Sequence, residues 1–287
     1  NIFAAIEKWM RELLTGMVES NMSTMFTDVN EKTSEIAAQV GRTPQNWNSS
    51  VFSMIQNLSE SVVVPITGII ITLILCYELI SMLTERNNLH DVDTWMFFKY
   101  FVKAWVAIYL VSNTFTITMA VFDVGQSVVN SASGIINGET AIDVSSLSMQ
   151  MQAAMATMEI GELVVLALET FLVSFCMKIM SVVITVIVYG RMIEIYLYTS
   201  LAPIPFATMS NREWGHVGTN YFRGLFALAF QAFLMMVCVA IYAALISSVR
   251  ISSNMHSALI GVAAYTVILC FSLMKTGSLS KQIFGSH

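Results

Sequence analysis

Residues 160–209 read IGELVVLALETFLVSFCMKIMSVVITVIVYGRMIEIYLYTSLAPIPFATM. The stretch stays largely apolar for about fifty residues, where one helical crossing of a bilayer needs about twenty. Glu162, Glu169, Lys178, Arg191 and Glu194 are the charges that interrupt it. One span fits within Leu163–Tyr189. Whether Ile193–Met209 is a second span separates a five-pass chain from a six-pass chain. Pro203 and Pro205 would end a helix there, because a residue before proline is pushed out of the helical region.

Working outward, the chain has 287 residues, of which 56% are hydrophobic and 11% charged. Soluble domains carry roughly 25% charged residues, and a mean hydropathy of +0.69 is that of an integral membrane protein. The apolar runs are continuous rather than alternating, so the spans are helices, not barrel strands. The other spans read as Val62–Leu83, Ala104–Phe122, Leu225–Ile246 and Met255–Met274. The fold class expected is all-α: about five transmembrane helices plus an extracytoplasmic amino-terminal helical region.

Positive charge chooses between five and six. Asp123–Glu159 holds no Lys or Arg. With five spans, Arg86, Lys99, Lys103, Arg191, Arg212, Arg223, Lys275 and Lys281 fall on one side and Arg250 on the other, eight against one. With six, Arg86, Lys99, Lys103, Arg191 and Arg250 oppose Arg212, Arg223, Lys275 and Lys281, five against four. Cytoplasmic loops carry the excess of Lys and Arg. Five spans are therefore expected, with the amino terminus outside and the carboxyl terminus in the cytosol. Ile193–Met209 then extends the third helix inward or dips into the membrane and returns. The corresponding division is an extracytoplasmic region 1–60 and a transmembrane domain 61–287 with an external loop 123–159 and a cytosolic loop 210–224.

Within the first sixty residues, Ile2, Phe3, Ile6, Trp9, Met10, Leu13, Leu14 and Met17 follow helical spacing opposite Glu7, Lys8, Arg11 and Glu12, the pattern of an amphipathic helix. Those charges do not suit a signal peptide. A second short helix is expected over Asp28–Val40, closed by Gly41, and Thr43-Pro44 reads as a fresh helix start with Thr43 as cap.

Nothing in the sequence forms a catalytic constellation. His90, His216, His256 and His287 are scattered, and Cys76, Cys176, Cys238 and Cys270 lie apart inside apolar runs. No metal site and no cofactor is expected. The absence of a basic cluster argues against direct sequence-specific nucleic-acid binding. The functional candidates are instead charges in or beside spans, since one ionised side chain at mid-bilayer costs about 2.5–3.5 kcal/mol on insertion scales. Glu162 and Glu169 share a helix face, and Lys178 lies nearly opposite Glu169 at 100° per residue. Each needs a partner on another helix, on another subunit or in water, so the three are candidate lumen or inter-subunit positions. Arg191 and Glu194 can pair along one helix at the cytosolic interface. Arg212, Trp214 and Arg223 form a candidate cytosolic docking surface.

Residues 198–240 read YTSLAPIPFATMSNREWGHVGTNYFRGLFALAFQAFLMMVCVA. The turn Leu201, Ala202, Pro203, Ile204, Pro205, followed by Trp214, Phe222 and Gln231, resembles the core of the TrbL-like polytopic membrane proteins of type IV secretion and conjugation systems. The resemblance implies a non-enzymatic platform or channel subunit in the bacterial cytoplasmic (inner) membrane, in contact with lipid. It further implies a homo-oligomer, often a pentamer, that meets other secretion components including a cytoplasmic ATPase. The alternative is a secondary transporter or channel for a small solute. Such transporters pair broken helices in two repeats, whereas only Leu201–Phe206 is broken by proline here.

Overall fold

The computed structural model describes residues 2–84, 94–136, 144–249 and 255–286, and among these every regular element is helical. Arg86, His90, Arg250 and His287 lie outside the described residues. In chain order the helices are α1 Ile2–Val40, α2 Pro44–Trp47, α3 Ser49–Leu58, α4 Val64–Thr84, α5 Thr94–Ser112, α6 Thr114–Ile136, α7 Val144–Met155, α8 Ile160–Ser200, α9 Pro203–Thr208, α10 Gly215–Ser247 and α11 Met255–Phe284. A π-helical turn, Ser59–Val63, joins α3 to α4. Among the described residues five helices are long and apolar enough to cross a membrane: the run Ser49–Thr84, then α5, α8, α10 and α11.

Several boundaries differ from the sequence reading. The two short amino-terminal helices are one, α1, of 39 residues. Val18, Met22, Met25, Phe26, Val29, Ile36 and Val40 recur at helical spacing and are all buried. Packing along that stripe carries the helix through Ser-, Thr- and Asn-rich sequence of modest propensity. The expected second span, 104–122, straddles a break at Asn113. There the Asn113 amide donates to the Tyr109 carbonyl (2.9 Å) and the Thr114 hydroxyl to those of Leu110 and Val111, local bonds that compete with the helix ladder. The expected loop 123–159 is largely helical, since α6 runs to Ile136 and α7 follows. The expected loop 210–224 shrinks because α10 already starts at Gly215, which puts Arg223 on a helix.

Other local rules hold. Thr43 Oγ1 accepts from the Asn46 amide (3.3 Å) and Pro44 takes the first helical position. Asn48 Oδ1 accepts from the amides of Ser50 and Val51, each at 3.1 Å, and starts α3. The π turn precedes Pro65, which has no N–H and whose ring would strike the carbonyl of Ser61 in a regular helix. The Val64 amide instead bonds five residues back, to Ser59, and the wide turn absorbs the conflict.

Packing divides the chain into two units. They do not follow the expected division after residue 60, which falls inside the helical run Ser49–Thr84. The first unit comprises residues 1–40, 130–189 and 233–276. Here α1 runs alongside the start of α8 in the same direction. Arg11 Nη1 donates to the Met158 carbonyl (2.7 Å), Asn21 Nδ2 to Thr170 Oγ1 (3.5 Å) and Lys32 Nζ to Thr185 Oγ1 (2.9 Å). Its interior is rich in methionine: Met22, Met25, Met151, Met155, Met177, Met235 and Met236 are buried, and this unbranched side chain fills irregular gaps between helices.

The second unit comprises residues 41–129, 190–232 and 277–287. Its organising piece is α9, which packs on both α4 and α5. Ala207 is fully buried among Ile71, Ile74, Ala107 and Val111. A second cluster gathers Val121, Phe122, Met192, Ile195, Leu225, Leu228 and Ala229. Gly125 permits its close crossing: a Cβ there would meet the Ala229 carbonyl oxygen at 2.8 Å. The end of α11 closes with Gly285 at φ 62°. The Ser286 amide bonds back to the Lys281 carbonyl and the Gly285 amide to that of Gln282, the Schellman arrangement that only glycine enters freely.

Candidate functional site

Pro203 ends α8. Without an N–H, and with a ring that would collide with the preceding turn, it starts a new short helix in its first position instead. Pro205 follows one turn position later, so the turn that resembles the family core becomes α9. Ala202 and Phe206 pack against Tyr221. Tyr221 stacks on Tyr198 (ring centroids 4.6 Å apart, 8° between planes) and its hydroxyl donates to the Tyr198 carbonyl at 2.6 Å. Gly218 lets α10 lie directly on this hairpin, for a Cβ there would come within 2.4 Å of the Pro205 carbonyl oxygen.

The connection from α9 to α10 is a built turn. Asn211 is buried, and its Oδ1 accepts from the amides of Glu213 (2.7 Å) and Trp214 (3.1 Å). Arg212, Glu213 and Trp214 are thereby held outward and exposed. Trp214 stacks on Tyr77 of α4 at 5.8 Å, and the Tyr77 hydroxyl donates to the Glu213 carboxylate at 3.1 Å. Asn211→Ala removes both bonds to the turn, and the expected loss is about 1 kcal/mol. Faster proteolysis between α9 and α10 in the detergent-solubilised protein is the measurement that checks it. Arg223 lies two turns along α10, exposed, so Arg212 and Trp214 share one turn and Arg223 does not.

Arg191 and Glu194 do not pair with each other. Arg191 is only 7% exposed and gives Nη2 to the Leu228 carbonyl of α10 at 3.2 Å. Glu194 turns to Lys281 of α11, 3.0 Å away. The Ser280 hydroxyl donates to the neighbouring Ala227 carbonyl at 2.6 Å. Two adjacent carbonyls of α10 thus accept from α8 and α11, and one ion pair joins those two helices directly. Among the described residues this is a polar clamp on three long helices, in the unit that carries the family-like turn. Arg191 buries a fixed charge against a backbone dipole, which is the way helical membrane proteins accommodate such a residue.

The three candidate lumen positions do not converge. Glu162 is exposed and accepts from the Glu159 amide at 3.1 Å, capping the start of α8. Glu169 faces His256 at the start of α11, with Oε2 against Nδ1. Lys178 is exposed.

Other polar groups pair as well, and of these the sequence singles out only Glu78, as a residue at the inner interface. Lys32 of α1 pairs with Glu35 at 2.5 Å as well as with Thr185. Beside it, Asp28, Thr33, Ser181, Tyr242 and Thr266 line a small cavity in the first unit, where the hydroxyls of Tyr242 and Thr266 are 2.8 Å apart. In the second unit Lys103 of α5 bonds Glu78 of α4. Among these, Lys32 and Glu35 carried a local signal in their helical spacing; the other two pairs, 24 and 25 residues apart, join consecutive helices and lie beyond the reach of helical spacing. Among the described residues no group of three or more His, Cys, Asp or Glu is arranged to hold a metal ion.

No curated protein and no solved structure matches this chain. One family model does, that of the TrbL/VirB6 plasmid conjugal transfer like proteins, over residues 29–203. The match takes in the last part of α1, from residue 29, the Asn113 break, all of α8 and the first three residues of the proline turn, while Trp214, Phe222 and Gln231 lie beyond it. It covers 175 of the 287 residues, and the chain therefore belongs to the TrbL/VirB6 conjugal transfer family.

Proposed function

We propose that this protein is a non-enzymatic platform or channel subunit of a conjugative type IV secretion system. It supports passage of DNA or protein across the bacterial cytoplasmic membrane as a homo-oligomer. The observation that carries this reading is the outer surface of α8 in a chain of this family. Val164, Leu168, Phe171, Phe175, Val182 and Val186 all stand exposed along it. Exposed apolar area on this scale marks a lipid or protein contact. The positive-charge bias supports an external amino terminus and a cytosolic carboxyl terminus. In that orientation the turn Asn211–Trp214 faces the cytosol, where its fixed Arg212 and Trp214 suit docking of a cytoplasmic ATPase. Tryptophan and arginine are the side chains that most often anchor such contacts.

Gentle detergent extraction is expected to yield a ring of several copies, with five the number the family resemblance implies. Mass photometry of the extract checks it. A clean monomer that still supports DNA transfer in a mating assay would remove the reading.

A further inference from the structure

Two features of the first unit have no role in the clamp or the docking turn. The first is Lys178. On a helical projection it falls among Phe171, Phe175, Val182 and Val186, the last two each 64% exposed. It makes no hydrogen bond or ion pair among the described residues, and it stands about midway along the 41 residues of α8. An ammonium standing unpaired in an exposed apolar stripe calls for an anion.

The second is the outward face of α1. Ser20, Thr24, Thr27, Glu31, Ser34 and Ala38 are exposed and fall within an arc of about 80° at 100° per residue. This face lies opposite the buried stripe of α1. It runs over nineteen residues, about 27 Å at 1.5 Å per residue. Because α1 is strapped along α8 through Arg11, Asn21 and Lys32, the two faces run level with each other. A face of Ser, Thr and Glu does not suit lipid, yet small hydroxyl residues let another helix approach closely. Glu31 is the carboxylate on this face, and it is exposed.

The register makes the two features complementary. Asn21 is level with Thr170 and Lys32 with Thr185, so Lys178 stands near the level of Thr27. Glu31 lies four residues on, about 6 Å along the axis, and its side chain leans back toward the helix start. Within one unit the two faces point in different directions, so Lys178 and Glu31 of the same chain do not meet.

We propose that the α1 face of one copy seats against the α8 stripe of a second copy, with Lys178 of one bonded to Glu31 of the other. The contact is heterologous, joining two different surfaces, and such contacts form a ring when the rotation between successive copies closes. It rests on the oligomeric reading above and names the interface that reading lacks.

Charge reversal in the full-length protein tests it. Lys178→Glu and Glu31→Lys are each expected to reduce the ring fraction in detergent about tenfold, by placing like charges together. The double reversal restores it. Cross-linking supplies a readout independent of folding: with the four native cysteines replaced by serine, Glu31→Cys and Lys178→Cys on separate co-expressed copies form a disulfide-linked dimer in membranes. An intact ring that ignores both reversals, or that gives no adduct, overturns this contact and leaves the platform reading standing. A wild-type protein that is monomeric removes the platform reading itself.

Discussion

Gly218→Val unseats α9 and destabilises the protein by about 2–4 kcal/mol, at or beyond the upper end of ordinary overpacking. A Cβ at this position would meet Met209 Cγ at 2.2 Å and the Pro205 carbonyl oxygen at 2.4 Å. The methionine can swing away, but the carbonyl belongs to a backbone pinned by two prolines and by Ala207 among Ile71, Ile74, Ala107 and Val111. The strain therefore passes into the packing of α9 on α4 and α5. A thermal scan in detergent reads this as a midpoint lowered by roughly 5–10 °C. Gly190→Ala is the control: nothing lies within 4 Å of its added Cβ, so alanine there is neutral or slightly stabilising. Equal midpoints for Gly218→Val and the parent would mean that α10 does not press on the proline hairpin.

The second large effect is expected from Lys103→Met. Lys103 bonds one oxygen of Glu78, and the other oxygen, Oε2, is buried without a hydrogen-bond partner among the described residues. Removing the lysine strands a carboxylate between α4 and α5. Stranded buried charges cost more than the pair contributes, and partial exposure of both side chains moderates this to a loss of about 1–3 kcal/mol. Adding Glu78→Gln removes the charge and recovers most of the loss. The check is a double-mutant cycle on the unfolding midpoint, and a double variant no better than Lys103→Met alone would refute the coupling.

What the sequence could reveal was the local part of this molecule. Five apolar helices, the Thr43 cap and the proline turn at 201–206 follow from residue type and spacing, because each is decided within a few positions. Ser, Thr and Asn between residues 20 and 34 disguise the continuity of α1, although Val18, Met22, Met25, Phe26 and Val29 carry the helical period through them. The polar contacts were harder. Arg191 and Glu194 have ideal spacing for a local pair, yet a carbonyl of α10 and an ammonium of α11 compete successfully for them. Glu169 and His256 lie 87 residues apart, and no local pattern links them. Spacing specifies which groups can meet on one helix; which helix comes alongside is settled by packing of the whole chain.

The length of α8 has a consequence of its own. Its 41 residues make a rod of about 61 Å, twice the roughly 30 Å that acyl chains can cover. Bulky apolar side chains stay exposed from Val164 through Leu197, some 50 Å along the axis at 1.5 Å per residue. A tilt of about 40° shortens the projection of that stretch only to about 38 Å, still longer than the acyl layer. A greasy overhang is left standing in headgroups and water, and a solitary copy would be poorly soluble at that end even in an ideal bilayer.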